Sequence, residues 1–289
     1  MNRSLAALLL CAIVSGCAIA PPHTGGALAT ADPAANDNLN AVAWTQNAVE
    51  RDLVYLQTWR DAQGQLLAAL HDPAWDALPA SDRVAPSANL PAAVIVDVDE
   101  TVLDNSPYQA RLVRSGGAYN PDDWAAWCRE QRARAVPGAV AFAQFAAQHG
   151  ITIVYLSNRD QSLDTATLGN LRQVGLPVAG PEVFLGLGTV VNGCTQVGSA
   201  KGCRRQAVSR RYRVLMQVGD QLGDFVDAPQ ATTASYHATA ERYLPWIGTR
   251  WFVLPNPTYG AWESAVSGGK SATSPAQRRK AKITSLRYD

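Results

Sequence analysis

The chain has 289 residues, enough for one large hydrophobic core or two small ones. With 47% hydrophobic and 17% charged residues it has the composition of a folded globular protein, not a disordered one. A formal net charge of +1 provides no global field for a nucleic acid polymer, and none is expected as a partner.

Residues 1–16 read as a secretory signal. Arg3 gives a positive start, residues 5–14 an apolar stretch too short to span a bilayer, and Ser15-Gly16 a small-residue cleavage site. The run Val14-Ser15-Gly16-Cys17 resembles the bacterial lipobox. That resemblance implies an acylated Cys17 and a membrane partner reached through the lipid. Two acyl chains would hold a soluble domain stably, each buried methylene contributing about 0.8 kcal/mol. The other reading is an ordinary cleaved signal. Ala18 after the cysteine, by resemblance to known sorting signals, leans towards the outer membrane. Residues 17–37, rich in Ala, Pro, Gly and Thr, read as a tether.

A helical part is expected over 38–90. Leu39, Val42, Val49, Leu53 and Leu56 recur near a 3.5-residue period, which predicts a helix over 38–70 with those residues on its apolar face. Pro73, Pro79, Pro86 and Pro91 then impose a loop. From residue 91 short apolar runs alternate with helical stretches. Buried parallel strands are predicted over 93–96, 151–156 and 214–218, helices over 139–149 and 163–174, and a last strand over 250–254. This is an α/β pattern, a parallel sheet with right-handed crossovers, occupying 91–265. Ligands of such sheets sit at the carboxyl ends of the strands. Polar residues duly follow each run: Asp97, Ser157-Asn158-Arg159, and Gly219-Asp220. The basic tail, 266–289, is expected to be disordered, with contact to anionic lipid or cell wall as the other reading.

Cys11 leaves with the signal and Cys17 is assigned to lipid, so Cys128, Cys194 and Cys203 remain. Cys194 and Cys203 flank a Gly-containing loop and are either bridged or two free thiols. No CxxC pair or histidine cluster supports a zinc site.

The chemistry concentrates in Asp97-Val98-Asp99-Glu100-Thr101. Carboxylates two apart at a buried strand end are costly unless a cation compensates them; alone, they could equally be solvated loop acids. A calcium loop of EF-hand type is excluded by Val102 at its sixth position, where glycine is needed. The pentad, DVDET, resembles motif one of the haloacid dehalogenase superfamily. The longer run VDVDETVLDNSPYQ, residues 96–109, resembles the class C acid phosphatases, bacterial outer-membrane lipoproteins of the 5′-nucleotidase type. SNRD from Ser157, Lys201 in KGCRRQ, GDQLGDF from Gly219 and PNPTYGAWE over 255–263 follow in the order of that family's later segments. The similarity spans roughly residues 38–265.

The resemblance implies a HAD-like Rossmannoid sheet flanked by helices, with the N-terminal helical segment as a small α cap. It implies a magnesium-dependent phosphomonoesterase using an aspartyl-phosphate intermediate. Asp97 would be the nucleophile and Asp99 the general acid and base, its proton held by the crowding of other carboxylates. Mg2+ would be held by Asp97, Asp220 and the Asp99 carbonyl; Asp224 would lie in the metal's outer shell or orient Lys201. Ser157 and Lys201 would bind phosphate. Thr101, Asp104 and Asn105 are neighbours for which capping or turn duty is an equal explanation. Trp124 or Trp127, with Tyr259, would stack on an aromatic ring of the substrate, so 5′-nucleotides, nicotinamide mononucleotide and aryl phosphates are the expected small-molecule partners. Tyr119 and Trp262 lie near these candidates in sequence. A phosphotransferase using the same intermediate and a catalytically silent surface lipoprotein are the alternatives. Oligomeric state is open, a homodimer included.

Overall fold

The computed structural model describes residues 36–228, 232–269 and 274–288. The signal sequence, Cys17 and the tether up to residue 35 lie outside the described residues. Among the described residues no helix is long and apolar enough to cross a membrane.

Two helices open the described chain, α1 (Leu39–Asn47) and α2 (Val49–His71), separated at Ala48, where the backbone turns extended. The strands are β1 (Ala92–Val96), β2 (Leu103–Asp104), β3 (Arg134–Ala135), β4 (Thr152–Asp160), β5 (Phe184–Leu187), β6 (Arg213–Gly219) and β7 (Trp251–Val253). Between and after them lie α3 (Ser106–Ser115), α4 (Pro121–Glu130), α5 (Ala139–Gln148), α6 (Asp164–Gln173), α7 (Gly202–Ser209), α8 (Leu222–Phe225), α9 (Thr233–Glu241), α10 (Ala261–Val266) and α11 (Pro275–Ser285).

Five strands form one parallel sheet in the order β5-β4-β1-β6-β7, and β2 pairs with β3 in a small antiparallel ribbon. The expected α/β architecture is therefore present. β1 is central and every residue in it is buried. Val94 and Val96 enter one hydrophobic cluster with residues of α2 and α5; Ala93 and Ile95 enter another with Val208 of α7 and Val214. That alternation is the period-2 geometry of a strand covered on both faces. The chain moves outward from β1 to β4 and β5, then returns to β6 on the other side, so the order reverses at β1. The crevice for a ligand opens there.

The helical part resolves into two pieces. α1 packs on α3, with Gln46 Nε2 donating to Ser106 Oγ. α2 lies on the sheet itself, against α5, β6 and β7. Its buried face differs from the expected one. Of the expected face, Val42 of α1 is buried and Leu56 of α2 half-buried, but Leu39 of α1 and Val49 and Leu53 of α2 are exposed; α2 instead buries Tyr55, Trp59, Ala62, Leu66 and Ala69. These five fall at helical spacing, and the large aromatics among them remove more apolar area from water than the exposed leucine would. Within the tail, residues 275–285 form α11. α11 starts with Ser274 and Gln277 capping each other and Pro275 in the first turn, and Lys282 pairs with Glu263 of α10 at 2.6 Å.

Cys194 and Cys203 are bridged, with Cα atoms 5.6 Å apart, which settles the alternative left open by the sequence; Cys128 is free and buried. Closing a loop with a sequence separation of 9 stabilises the fold by about 2–3 kcal/mol in the chain-entropy account. The double variant Cys194→Ser, Cys203→Ser is expected to lower Tm by about 5–10 °C in a thermal melt. An unchanged Tm would mean that the bridge constrains nothing in the unfolded chain.

Candidate active site

Asp97 follows β1 directly, and its backbone N–H donates to Val218 O of β6 at 2.9 Å, fixing it between the two strands. Asp220 follows β6. Lys201 stands immediately before α7. β4 runs past the expected end at 156 and carries Ser157 and Arg159 to the same edge. The carboxylates of Asp97, Asp220 and Asp224 converge, with one oxygen from each within 4.8 Å of the others. Lys201 Nζ donates to Asp97 Oδ1 at 2.5 Å, to Asp224 Oδ1 at 2.8 Å and to Leu156 O at 2.7 Å. All three ammonium donors are thus used within the protein.

Three carboxylates against one lysine leave an excess of buried negative charge. Asp97 is pushed up to about 7, mainly by burial and against the pull of Lys201, with Asp224 and Asp99 adding repulsion. Asp220 is raised by burial and by the Asp224 and Asp97 charges. An all-oxygen donor set of this charge suits a hard divalent cation such as Mg2+. Asp224 is committed on both sides. Oδ1 accepts from Lys201, and Oδ2 accepts from the Gln221 N–H in a capping box at the start of α8. Of its two expected roles, orienting Lys201 is the one with direct contacts.

The Asp99 side chain stands outside that cluster. Its charge is felt by the Asp97 and Glu100 carboxylates, and it is held by a guanidinium: Arg159 Nε donates to Oδ1 at 2.9 Å, and Asn105 Nδ2 reaches the same oxygen at 2.9 Å. Ser157 Oγ lies 3.4 Å from Asp99 Oδ2 and accepts the Arg159 N–H at 3.0 Å. Trp127 is one of the two tryptophans expected as alternatives for stacking. It is buried, its indole N–H donates to Asn105 Oδ1 at 2.8 Å, and the Arg111 guanidinium sits 4.9 Å from its ring. It therefore serves as a support for Asn105, not as an open platform. Trp124 is half-buried, edge-on to Tyr108, with Arg159 5.5 Å from its ring. Tyr119 and Trp262 are exposed.

Glu100 was legible in sequence only as a member of the pentad, yet it ties three segments together. Its φ of 59° lies in the left-handed region, a cost of about 1–2 kcal/mol for a non-glycine residue. Tyr55 OH of α2 donates to Glu100 O at 2.6 Å, the Asn105 N–H donates to Oε1 at 2.9 Å, and Tyr259 OH donates to Oε2. Burial, with Asp99 next, pushes Glu100 up to about 8. The phenol of Tyr259 is thus occupied by Glu100, and only its ring is left for any stacking role. Thr101 Oγ1 lies 3.1 Å from Asp97 Oδ2 and 3.3 Å from Asp220 Oδ1.

Two buried arginines brace the site. Arg204 donates to Ser157 O, to Asn158 Oδ1 at 2.6 Å and to Ala200 O at 3.2 Å, stitching β4 to the turn before Lys201. Burial lowers its pKa to about 10. Arg205 joins Asp82 at 2.6 Å and Asp227 at 2.7 Å, and donates to Asp224 O. Nothing in the run KGCRRQ distinguishes them from solvated helix residues.

A family model described as HAD superfamily, subfamily IIIB (Acid phosphatase), matches residues 27–262. Among solved structures, a class C acid phosphatase from Bacillus anthracis superposes with a TM-score of 0.74 at 30% identity, covering 87% of this chain and 97% of that one. The same enzyme with tungstate bound gives the same values. Vegetative storage protein 1 of Arabidopsis thaliana is 26% identical over 168 residues, 57% of this chain. The chain spans about half, 54%, of the length of that curated relative.

Proposed function

We propose that this chain, which belongs to the HAD superfamily, subfamily IIIB (acid phosphatase), is a phosphomonoesterase that works through a phosphorylated Asp97. The observation that carries the reading is the meeting of Asp97, Asp220, Asp224 and Lys201 at the ends of β1 and β6, with Asp99 beside them. A Mg2+ ion held by Asp97 and Asp220, with the Asp99 carbonyl, would neutralise charge on the phosphoryl oxygens and allow an anionic nucleophile to approach.

In the first step a carboxylate oxygen of Asp97 bonds to phosphorus as the ester P–O bond breaks, and Asp99 gives its proton to the departing alkoxide. In the second, a water attacks phosphorus and yields a proton to Asp99. The Asp97–phosphorus bond breaks, releasing inorganic phosphate and restoring both carboxyl groups. Arg159 and Asn105 hold Asp99 in place for both transfers. The Ser157 hydroxyl and the Lys201 ammonium take phosphoryl oxygens, Lys201 exchanging part of its hold on Asp97. The tungstate bound by the similar Bacillus anthracis enzyme, a tetrahedral oxyanion, supports a phosphate-shaped site. Trp124 and the ring of Tyr259 are the proposed platform for an aryl or heterocyclic leaving group, which favours 5′-nucleotides, nicotinamide mononucleotide and aryl phosphates. Export and a lipid on Cys17 complete the reading, with mass spectrometry of the mature N-terminus as their check.

The test is phosphate release from p-nitrophenyl phosphate, 5′-AMP and nicotinamide mononucleotide, with Mg2+ and with EDTA. Turnover that requires the metal is expected; no turnover under either condition sinks the reading. Protons compete with Mg2+ for Asp97, which titrates near 7 in the metal-free site, so the Mg2+ concentration giving half-maximal rate is expected to rise as pH falls from about 8 to about 5. A constant half-maximal concentration would show that the cation does not bind these carboxylates.

A further inference from the structure

The segment 255–263, PNPTYGAWE, carries no reacting group in the mechanism above, yet it reaches back to the carboxylates. It leaves β7 beside the end of β6, the Leu254 N–H donating to Gly219 O at 2.9 Å. Two residues on, Asn256 Nδ2 donates to Asp220 Oδ2 at 2.9 Å. The orientation of that amide is fixed by its other end: Oδ1 accepts the Thr258 N–H at 2.9 Å and the Thr258 hydroxyl at 2.7 Å. With two donors converging on the oxygen, the NH2 group must face Asp220. Thr258 is buried, so water does not compete freely for these bonds. Asp220 Oδ1 meets Thr101 Oγ1 at 3.3 Å. Thr101 has one hydroxyl proton to share between Asp97 and Asp220, so the firm hold on the Asp220 carboxylate comes from the Asn256 side.

We propose that Asn256 is a positioning residue that sets the orientation of the Asp220 carboxylate and thereby the affinity of the site for a divalent cation. The inference rests on the reading of Asp220 as a cation ligand. Groups that hydrogen-bond a metal-ligating carboxylate fix its geometry before the ion arrives, and losing one typically weakens binding about 10- to 100-fold. The Thr258 hydroxyl acts one step further out, by holding the amide.

The experiment is calorimetric titration of Mg2+ alone into the exported chain and into its Asn256→Ala and Thr258→Val variants. Thermal melts with and without Mg2+ accompany it. Asn256→Ala is expected to raise the Mg2+ Kd about 10- to 100-fold and to shrink the Mg2+-induced rise in Tm. Thr258→Val should give a smaller loss in the same direction, and decides the matter if Asn256→Ala does not fold. A purely structural role would instead lower Tm equally with and without the ion and leave Kd unchanged; that result overturns the inference while wild-type binding keeps the cation reading intact. A wild-type chain that takes up no Mg2+ overturns the cation reading first, and the inference with it.

Discussion

Asp97→Asn is expected to reduce turnover by about ten-thousand-fold or more, because the amide is nearly the same shape but cannot attack phosphorus. The fold should survive. Asp97 is buried, and an amide oxygen in place of Oδ1 still accepts from Lys201. The stability effect has a definite sign. Asp97 is raised from an ordinary 3.8 to about 7, so the folded, metal-free protein binds a proton that the unfolded chain has already released. The stability associated with that proton is complete below about pH 4 and is lost as pH rises through about 7. Asp97→Asn removes this dependence, so without metal its Tm should equal or exceed wild type above pH 7. Loss of activity with a retained or higher Tm is the pattern of a residue selected for chemistry at the expense of stability. A low Tm accompanying the lost activity would point to a structural role for Asp97.

Lys201→Met is expected to damage both stability and rate. Methionine keeps much of the length and the apolar stem but leaves Asp97 and Asp224 without their shared cation and Leu156 O without its donor. Removing one partner of a buried ionic cluster costs about 3–5 kcal/mol. Urea melts should show that loss most strongly above pH 7 without metal. It should shrink in acid, where the carboxylates protonate, and on adding Mg2+, which replaces part of the missing charge. Turnover should fall about 100- to 1,000-fold even at saturating Mg2+, the scale for loss of one preorganised charge donor to the phosphoryl group. A variant as stable as wild type at pH 8 would show that the cluster does not need the lysine.

Much of the sheet could be read from residues because its central strands are buried on both faces. Runs such as AAVIV have no polar face to disguise them. β5 escaped because its four residues, FLGL, include a glycine and follow a Gly-Pro turn, leaving neither length nor periodicity to detect. The wrong face of α2 has a similar cause. Val49 and Leu53 make a plausible stripe, but the buried stripe of Tyr55, Trp59, Ala62, Leu66 and Ala69 is built mostly from aromatics and alanines. At the site, Asp97, Asp220 and Lys201 were legible because each directly follows a strand or precedes a helix in an ordered set of motifs. The contacts that brace the site were not. Arg159 on Asp99, Arg204 on Ser157, Tyr259 on Glu100 and Asn256 on Asp220 join positions separated by 60, 47, 159 and 36 residues. A charged or amide side chain in sequence reads as solvated, and only the fold shows which ones are buried against a partner.

The central claim is covalent, and it is tested most directly by stopping the reaction while phosphate is still on the protein. Residues 18–289 would be mixed with p-nitrophenyl phosphate and Mg2+, quenched in acid within milliseconds, digested, and mapped by mass spectrometry. The expected result is the mass of one phosphoryl group on the peptide containing Asp97, absent from Asp97→Asn and absent once substrate is exhausted. Steady turnover with no label on that peptide, or with the label on another residue, would contradict the account.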